Sequence, residues 1–268
     1  MLISSISYSK EHVDLDVSTI NDSQIAVISE YFDHATLIFV NLDECLTTPM
    51  ANMFRYTNNN LDNTLIDNLI SASKTNPVWR NTVIQWLQNR KIMLSEESWI
   101  DFINDAHKAG VTIIGIYYID EDIGRLITDL GNWKVGELQA LGVEFTKNIK
   151  GQNYIEIGKN NSSAFFYDGI LFNGNLTKTD AVVKFLKTTG MMPDRILFFD
   201  YKTDDINYMS EYSEYFNLDF YGIKYRGAFK LEGFADPEIV QFQKEQLIQN
   251  DKWFEDEEAY ELLNQRRN

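Results

Sequence analysis

Cysteine is almost missing from this chain: Cys45 is the single one in 268 residues. One thiol excludes an intramolecular disulfide framework and any cysteine-rich zinc site, and it fits a reducing cytoplasm. The histidines are few and scattered, at His12, His34 and His107, and none stands in an H-E-x-x-H or paired-ligand spacing. Glycine and proline are also sparse, at 14 and 4, so no flexible linker divides the chain. No internal repeat occurs, and low complexity is limited to Asn58-Asn59-Asn60. No apolar run is long enough to cross a bilayer. The start, MLISSISYSKEHVDLD, meets charge before a hydrophobic stretch develops, so a conventional secretory signal is not expected. Basic residues are in deficit, 24 against 40 acidic ones, for a formal charge of -16. That field repels nucleic acid and anionic membrane surfaces, leaving room for a local basic pocket that takes one phosphate.

What is present is core material, with 44% hydrophobic and 13% aromatic residues. The run Ala35 to Val40 is unbroken and rich in β-branched side chains, as a parallel strand covered on both faces requires. From about Leu61 to Ala109 the pattern turns helical: Leu65, Ile66 and Leu69 share one face, and Val83, Ile84, Trp86 and Leu87 another. Ser95-Glu96-Glu97-Ser98 reads as a capping-box-like start of a further helix. Strand patterns follow at Val111–Tyr117, at Ala164–Tyr167 with Gly169–Phe172 as a hairpin about Asp168-Gly169, at Arg195–Phe199 and at Phe220–Tyr225. Helical patterns cover Thr179–Thr189 and, as one polar amphipathic helix, Pro237 to about Asn264. Strands alternating with helices predict an open α/β sheet whose chemistry gathers at the carboxyl ends of the strands.

The residues with chemical potential sit at those ends: Asn41, Asp43, Tyr117, Lys178, Asp200, Asp204 and Asp205. Carboxylates converging with one lysine suit phosphate chemistry assisted by Mg2+, because the hard cation takes oxygen ligands and the lysine neutralises phosphate charge. Singly, each has an ordinary alternative. Asp43 could cap a turn, Lys178 could be a solvated helix-start lysine, and Asp200 to Asp205 could be an acidic turn.

The run LIFVNLDECLTT resembles the first motif of the haloacid dehalogenase (HAD) superfamily, an apolar strand followed by Asp-x-Asp-x-Thr. GVTIIGIYY resembles the second motif, Lys178 at a helix head the third, and ILFFDYKTDD the fourth. The stretches YDGILFNG and DPEIVQFQKEQLIQNDKWFEDEEA are similar to a HAD-like branch found in intracellular bacterial pathogens, whose members are often exported. The resemblance runs from about Thr36 to Ala259.

The resemblance implies a Rossmannoid parallel sheet flanked by helices, with a small helical cap inserted after the first motif. The domain expectation is an N-terminal extension over 1–30, a HAD-like core over 31–60 and 110–268, and a cap over 61–109. Trp79, Trp86 and Trp99 could stack on a substrate from that cap or form its own core. By resemblance, Asn41 takes the nucleophile position, Asp43 the acid/base, Tyr117 and Lys178 the phosphate-binding positions, and Cys45 the usual threonine position as a small packing residue. A weak Mg2+ site is implied at Asn41, the Asp43 carbonyl, Asp200 and Asp204 or Asp205. The chain departs from the pattern twice. Asn41 is a neutral amide and a poor nucleophile, and Tyr117 is far bulkier than the usual threonine or serine.

The expected function is therefore a phosphatase-like protein, impaired at Asn41, that binds a phosphorylated small molecule, a phosphoprotein or another protein partner. The alternatives are an active Mg2+-dependent phosphomonoesterase, with phosphotyrosine as one candidate substrate, whose nucleophilic aspartate is substituted here, or a non-enzymatic interaction module. The expected location is the cytoplasm or, by a signal-peptide-independent route, a host cell. No nucleic acid and no transmembrane segment are expected.

Overall fold

The computed structural model describes residues 11–54, 71–72, 75–119, 121–157 and 163–267. Its centre is an eight-stranded sheet. The strands are β1 (His12–Val17), β2 (Thr36–Asn41), β5 (Thr112–Tyr117), β6 (Tyr154–Glu156), β7 (Phe165–Tyr167), β8 (Ile170–Phe172), β9 (Arg195–Asp200) and β10 (Asp219–Tyr225). Across the sheet they run β1-β10-β9-β2-β5-β8-β7-β6. Every pairing from β1 to β8 is parallel, and β7 and β6 close the far edge antiparallel. Two short strands, β3 (Thr47–Pro49) and β4 (Ile92–Leu94), pair antiparallel outside this sheet.

The central strands are apolar throughout because both faces are covered. Ile38, Val40, Ile113, Leu197, Phe199 and Ile223 join one buried layer. Their neighbours Leu37, Phe39, Ile114, Ile116, Ile196, Phe198 and Phe220 join the other. The first layer is roofed by α1 (Ser23–Ser29), α3 (Trp99–Lys108) and α5 (Leu130–Ala140), through Ile25, Ile103 and Leu138. The second is roofed by α6 (Lys178–Thr189) and α7 (Thr203–Tyr215), through Phe185 and Met209. The protein is thus a mixed α/β fold with a mostly parallel sheet between helical layers. No described helix is long and apolar enough to cross a membrane.

Four details depart from the sequence expectation. Residues 12–29 are not an appendage: β1 lies parallel to β10 and α1 packs on the core. Its alternation of Val13, Leu15 and Val17 with charged residues suits an edge strand with one buried side. Ser95 is not a helix cap. It is buried and donates to the Cys45 carbonyl at 2.5 Å, while Ser98 precedes α3 without a side-chain cap. The C-terminal helix is two, α8 (Pro237–Asn250) and α9 (Asp256–Arg267), broken where Asp251 takes φ 51°. The block from Leu61 to Ala109 is also divided. Leu65, Ile66 and Leu69 lie outside the described residues. α2 (Pro77–Asn89) packs by Trp86 against Phe54 and Trp253, whereas α3 packs by Trp99 against Phe199 and Tyr225 of the main sheet. Trp86 and Trp99 are therefore core residues, and Trp79 is a half-buried neighbour of the same cluster.

The expected hairpin is present. Asp168 (φ 42°) and Gly169 (φ 92°) join β7 to β8. A Cβ at Gly169 would lie 2.6 Å from that of Phe145, so glycine is needed for space as well as for φ. A short helix, α4 (Glu121–Gly124), follows β5.

Candidate functional site

Register brings the candidates together. Val40 pairs with Phe199 on one side and Gly115 on the other, and Asn41 pairs with Ile116. Asn41, Asp200 and Tyr117 therefore end three adjacent parallel strands, at the edge where α/β sheets place ligands.

Asn41 is buried, and its amide Nδ2 donates to the Asp43 carbonyl at 2.7 Å. The turn beyond it is tied down twice, by Leu42 N to Ile116 O at 2.9 Å and by Thr47 N to Leu42 O at 2.8 Å. Glu44 takes φ 61° within this turn. Lys178 opens α6, an unfavourable place for a cation against the helix dipole. It is held by Asp200 Oδ2 at 2.5 Å and Asp205 Oδ2 at 2.9 Å. Burial works against the Lys178 ammonium, but these two carboxylates outweigh it and raise its pKa. The other oxygen of Asp200 accepts from Lys202 N at 3.0 Å. Asp205, not Asp204, reaches this group; Asp204 is exposed in the first turn of α7. The Cys45 thiol is buried, and burial followed by the Asp200 charge pushes its pKa well up, so it is an inert packing group.

Tyr117 is buried, and burial with the Asp43 charge raises its phenol pKa well above the ordinary value. The nearby Arg90 guanidinium acts the other way and lowers it. Over its ring lies the Lys134 ammonium, 4.3 Å from the centroid. Sequence reasoning missed both cations. Arg90 caps the C-terminus of α2, and Lys134 is on α5 with its Nζ 3.0 Å from Glu137 Oε2. A signal for Lys134 was there: it falls on the Leu130–Leu138 stripe at four-residue spacing, a core position no unpaired lysine occupies. Beside Tyr117, Asn173 at the end of β8 is buried, and its Oδ1 has no hydrogen-bond partner among the described residues.

A fit test for Mg2+ follows from these bonds. The Asp43 carbonyl accepts the Asn41 amide, and an Asn41 flip would set two acceptors against each other at 2.7 Å. Both oxygens of Asp200 and one of Asp205 already face protein donors. Among the described residues, no three His, Cys, Asp or Glu side chains group to hold a metal ion. The arrangement fits Mg2+ poorly, since a cation would have to displace an amide and an ammonium.

Comparison with known proteins covers most of the chain: residues 16–260 match the profile of a family described as a protein of unknown function, DUF2608. The chain belongs to the DUF2608 family. A relative of it is the "Uncharacterized protein RP296" of Rickettsia prowazekii (strain Madrid E), 30% identical over 233 residues, covering 87% of this chain and 84% of that protein. No solved structure matches. The matched span takes in all seven strand-end candidates together with Arg90 and Lys134. Chemically, the crevice of this chain offers ammonium, guanidinium, phenol and amide donors, and its position 41 holds a neutral amide rather than a carboxylate.

Proposed function

We propose that this is a HAD-fold, phosphatase-like protein that has lost phosphoryl transfer at Asn41 and acts by binding a phosphorylated molecule or a protein partner. The observation that carries this reading is the Asn41 Nδ2 to Asp43 O hydrogen bond of 2.7 Å. A carboxylate at position 41 would repel that carbonyl, and a metal ion would be needed between them. The amide closes the gap with its own N–H. Lys178 plays a similar part at Asp200, where its ammonium supplies the local positive charge. In this reading α2 with β3 and β4 forms a small cap over the crevice, with Arg90 at its edge, and affinity for Mg2+ is weak.

The test is an assay with an aryl phosphate and Mg2+. The unaltered protein is expected to be inert, and Asn41→Asp to gain Mg2+-dependent hydrolysis. Turnover by the unaltered protein at rates typical of phosphatases would overturn the reading.

A further inference from the structure

Two buried cations converge on one carboxylate oxygen without touching it. Arg90 Nη2 stands 3.9 Å from Asp43 Oδ1, and Lys134 Nζ stands 3.8 Å from the same atom. Neither distance is a hydrogen bond. The side chains of Arg90 and Lys134 are 5% and 0% exposed, whereas that of Asp43 is 44% exposed. Arg90 Nε is buried and has no hydrogen-bond partner among the described residues. Lys134 is partly neutralised by Glu137 at 3.0 Å, and Glu44 adds negative charge near Arg90. Among the described residues Arg90 has no carboxylate closer than Asp43, and the Trp86 ring lies 4.8 Å from its guanidinium carbon. Burying a guanidinium this deeply is costly unless its donors are used. The loose approach of a half-exposed Asp43 leaves Nε unused.

We propose that Arg90, Lys134 and the Tyr117 hydroxyl form a binding site for the oxyanion of a phosphate monoester, and that Asp43 is a resident anion which the ligand displaces. The ligand class rests on the reading given above; the site itself rests on the two cations. A tetrahedral oxyanion carries enough acceptors to meet Arg90 Nη2 and Nε together with Lys134 Nζ, which a single distant carboxylate oxygen does not. Because Asp43 is in the solvent-facing turn, it can swing outward without unfolding any element. The bulk of Tyr117, which closes the place where a threonine would hold phosphate, here bridges the two cations instead.

The experiment is calorimetric titration of the full chain with inorganic phosphate and, in parallel, phenyl phosphate, without metal. Asp43→Asn removes the competing charge and should tighten binding about tenfold. Arg90→Gln in the Asp43→Asn background should abolish that gain, and so should Lys134→Gln, with circular dichroism used to confirm folding. If Arg90→Gln unfolds the chain, Arg90→Lys should weaken binding by losing the forked donors while keeping the charge. Tighter phenyl phosphate identifies an ester ligand and tighter inorganic phosphate the free ion, and either supports the site. The proposal is overturned if Asp43→Asn leaves affinity unchanged. It is also overturned if Lys178→Met abolishes binding that Arg90→Gln does not touch, a result that would leave the HAD-like crevice standing. Absence of binding in every variant overturns the anion site alone, since hydrolysis by Asn41→Asp tests the phosphatase-like reading separately.

Discussion

Asn41 donates its side-chain amide to the backbone carbonyl of Asp43, two residues ahead, across 2.7 Å. In the function proposed above, that neutral contact stands where a carboxylate–cation–carbonyl bridge would otherwise be, and most of what can be tested at the strand ends depends on it.

On the proposed function, a carboxylate placed at position 41 should confer metal affinity as well as chemistry. In calorimetry, the unaltered protein should bind Mg2+ no more tightly than about millimolar, and Asn41→Asp should tighten it by about tenfold or more. Asp200→Ala in the Asn41→Asp background should remove the gain. Tight Mg2+ binding by the unaltered chain would count against the donor arrangement described here.

Hydrolysis by Asn41→Asp should depend on Asp43. Asp43→Asn in that background removes the general acid and should lower the rate about 100-fold or more. If Asn41→Asp is folded but inert, Tyr117→Thr is the next substitution, because it opens room for a phosphate oxygen. An Asn41→Asp, Tyr117→Thr protein that is still inert would rule out a latent phosphatase.

Lys178 should matter for stability. Removing it by Lys178→Met leaves buried Asp200 without its ion pair and should cost about 3–5 kcal/mol in urea unfolding. Its raised pKa also sets a pH window. Stability from a raised lysine is fully present below the unfolded-state value near 10.4 and is lost as pH rises through the higher folded value. The unaltered protein should therefore lose stability above about pH 10.5, and Lys178→Met should show a shallower alkaline loss. Equal alkaline slopes in the two proteins would count against the ion pair.

Trp99 is fully buried against Phe199 and Tyr225, and its indole N–H donates to Ser95 Oγ at 3.2 Å. Trp99→Ala should cost about 3–5 kcal/mol. A loss below about 1 kcal/mol would indicate that α3 is not part of the core.

The central strands were legible because burial on both faces leaves nothing but apolar residues, as in β2 and β9, and their ends pointed directly to Asn41 and Asp200. The strand β1 was not, because one polar side makes HVDLDV look like a charged leader. Asp251 breaks the last helix without a glycine or proline, so periodicity ran through it. Arg90 was invisible for another reason. Its partners Asp43 and Tyr117 come from separate strand ends, and only the folded chain brings them together. Lys134 could have been found from its place on the stripe of α5, since a lysine there needs a counter-charge within reach, which Glu137 supplies.

The pairing of β1 with β10 has a consequence for synthesis. Glu11 N donates to Asp219 Oδ1 across 208 positions of sequence, and among the described strands the first pairs with the last alone. On the ribosome, β1 emerges before β10 and must wait for it, unpaired, across that separation of 208 positions. Its alternate aspartates, Asp14 and Asp16, keep that waiting segment soluble and discourage it from pairing with another chain.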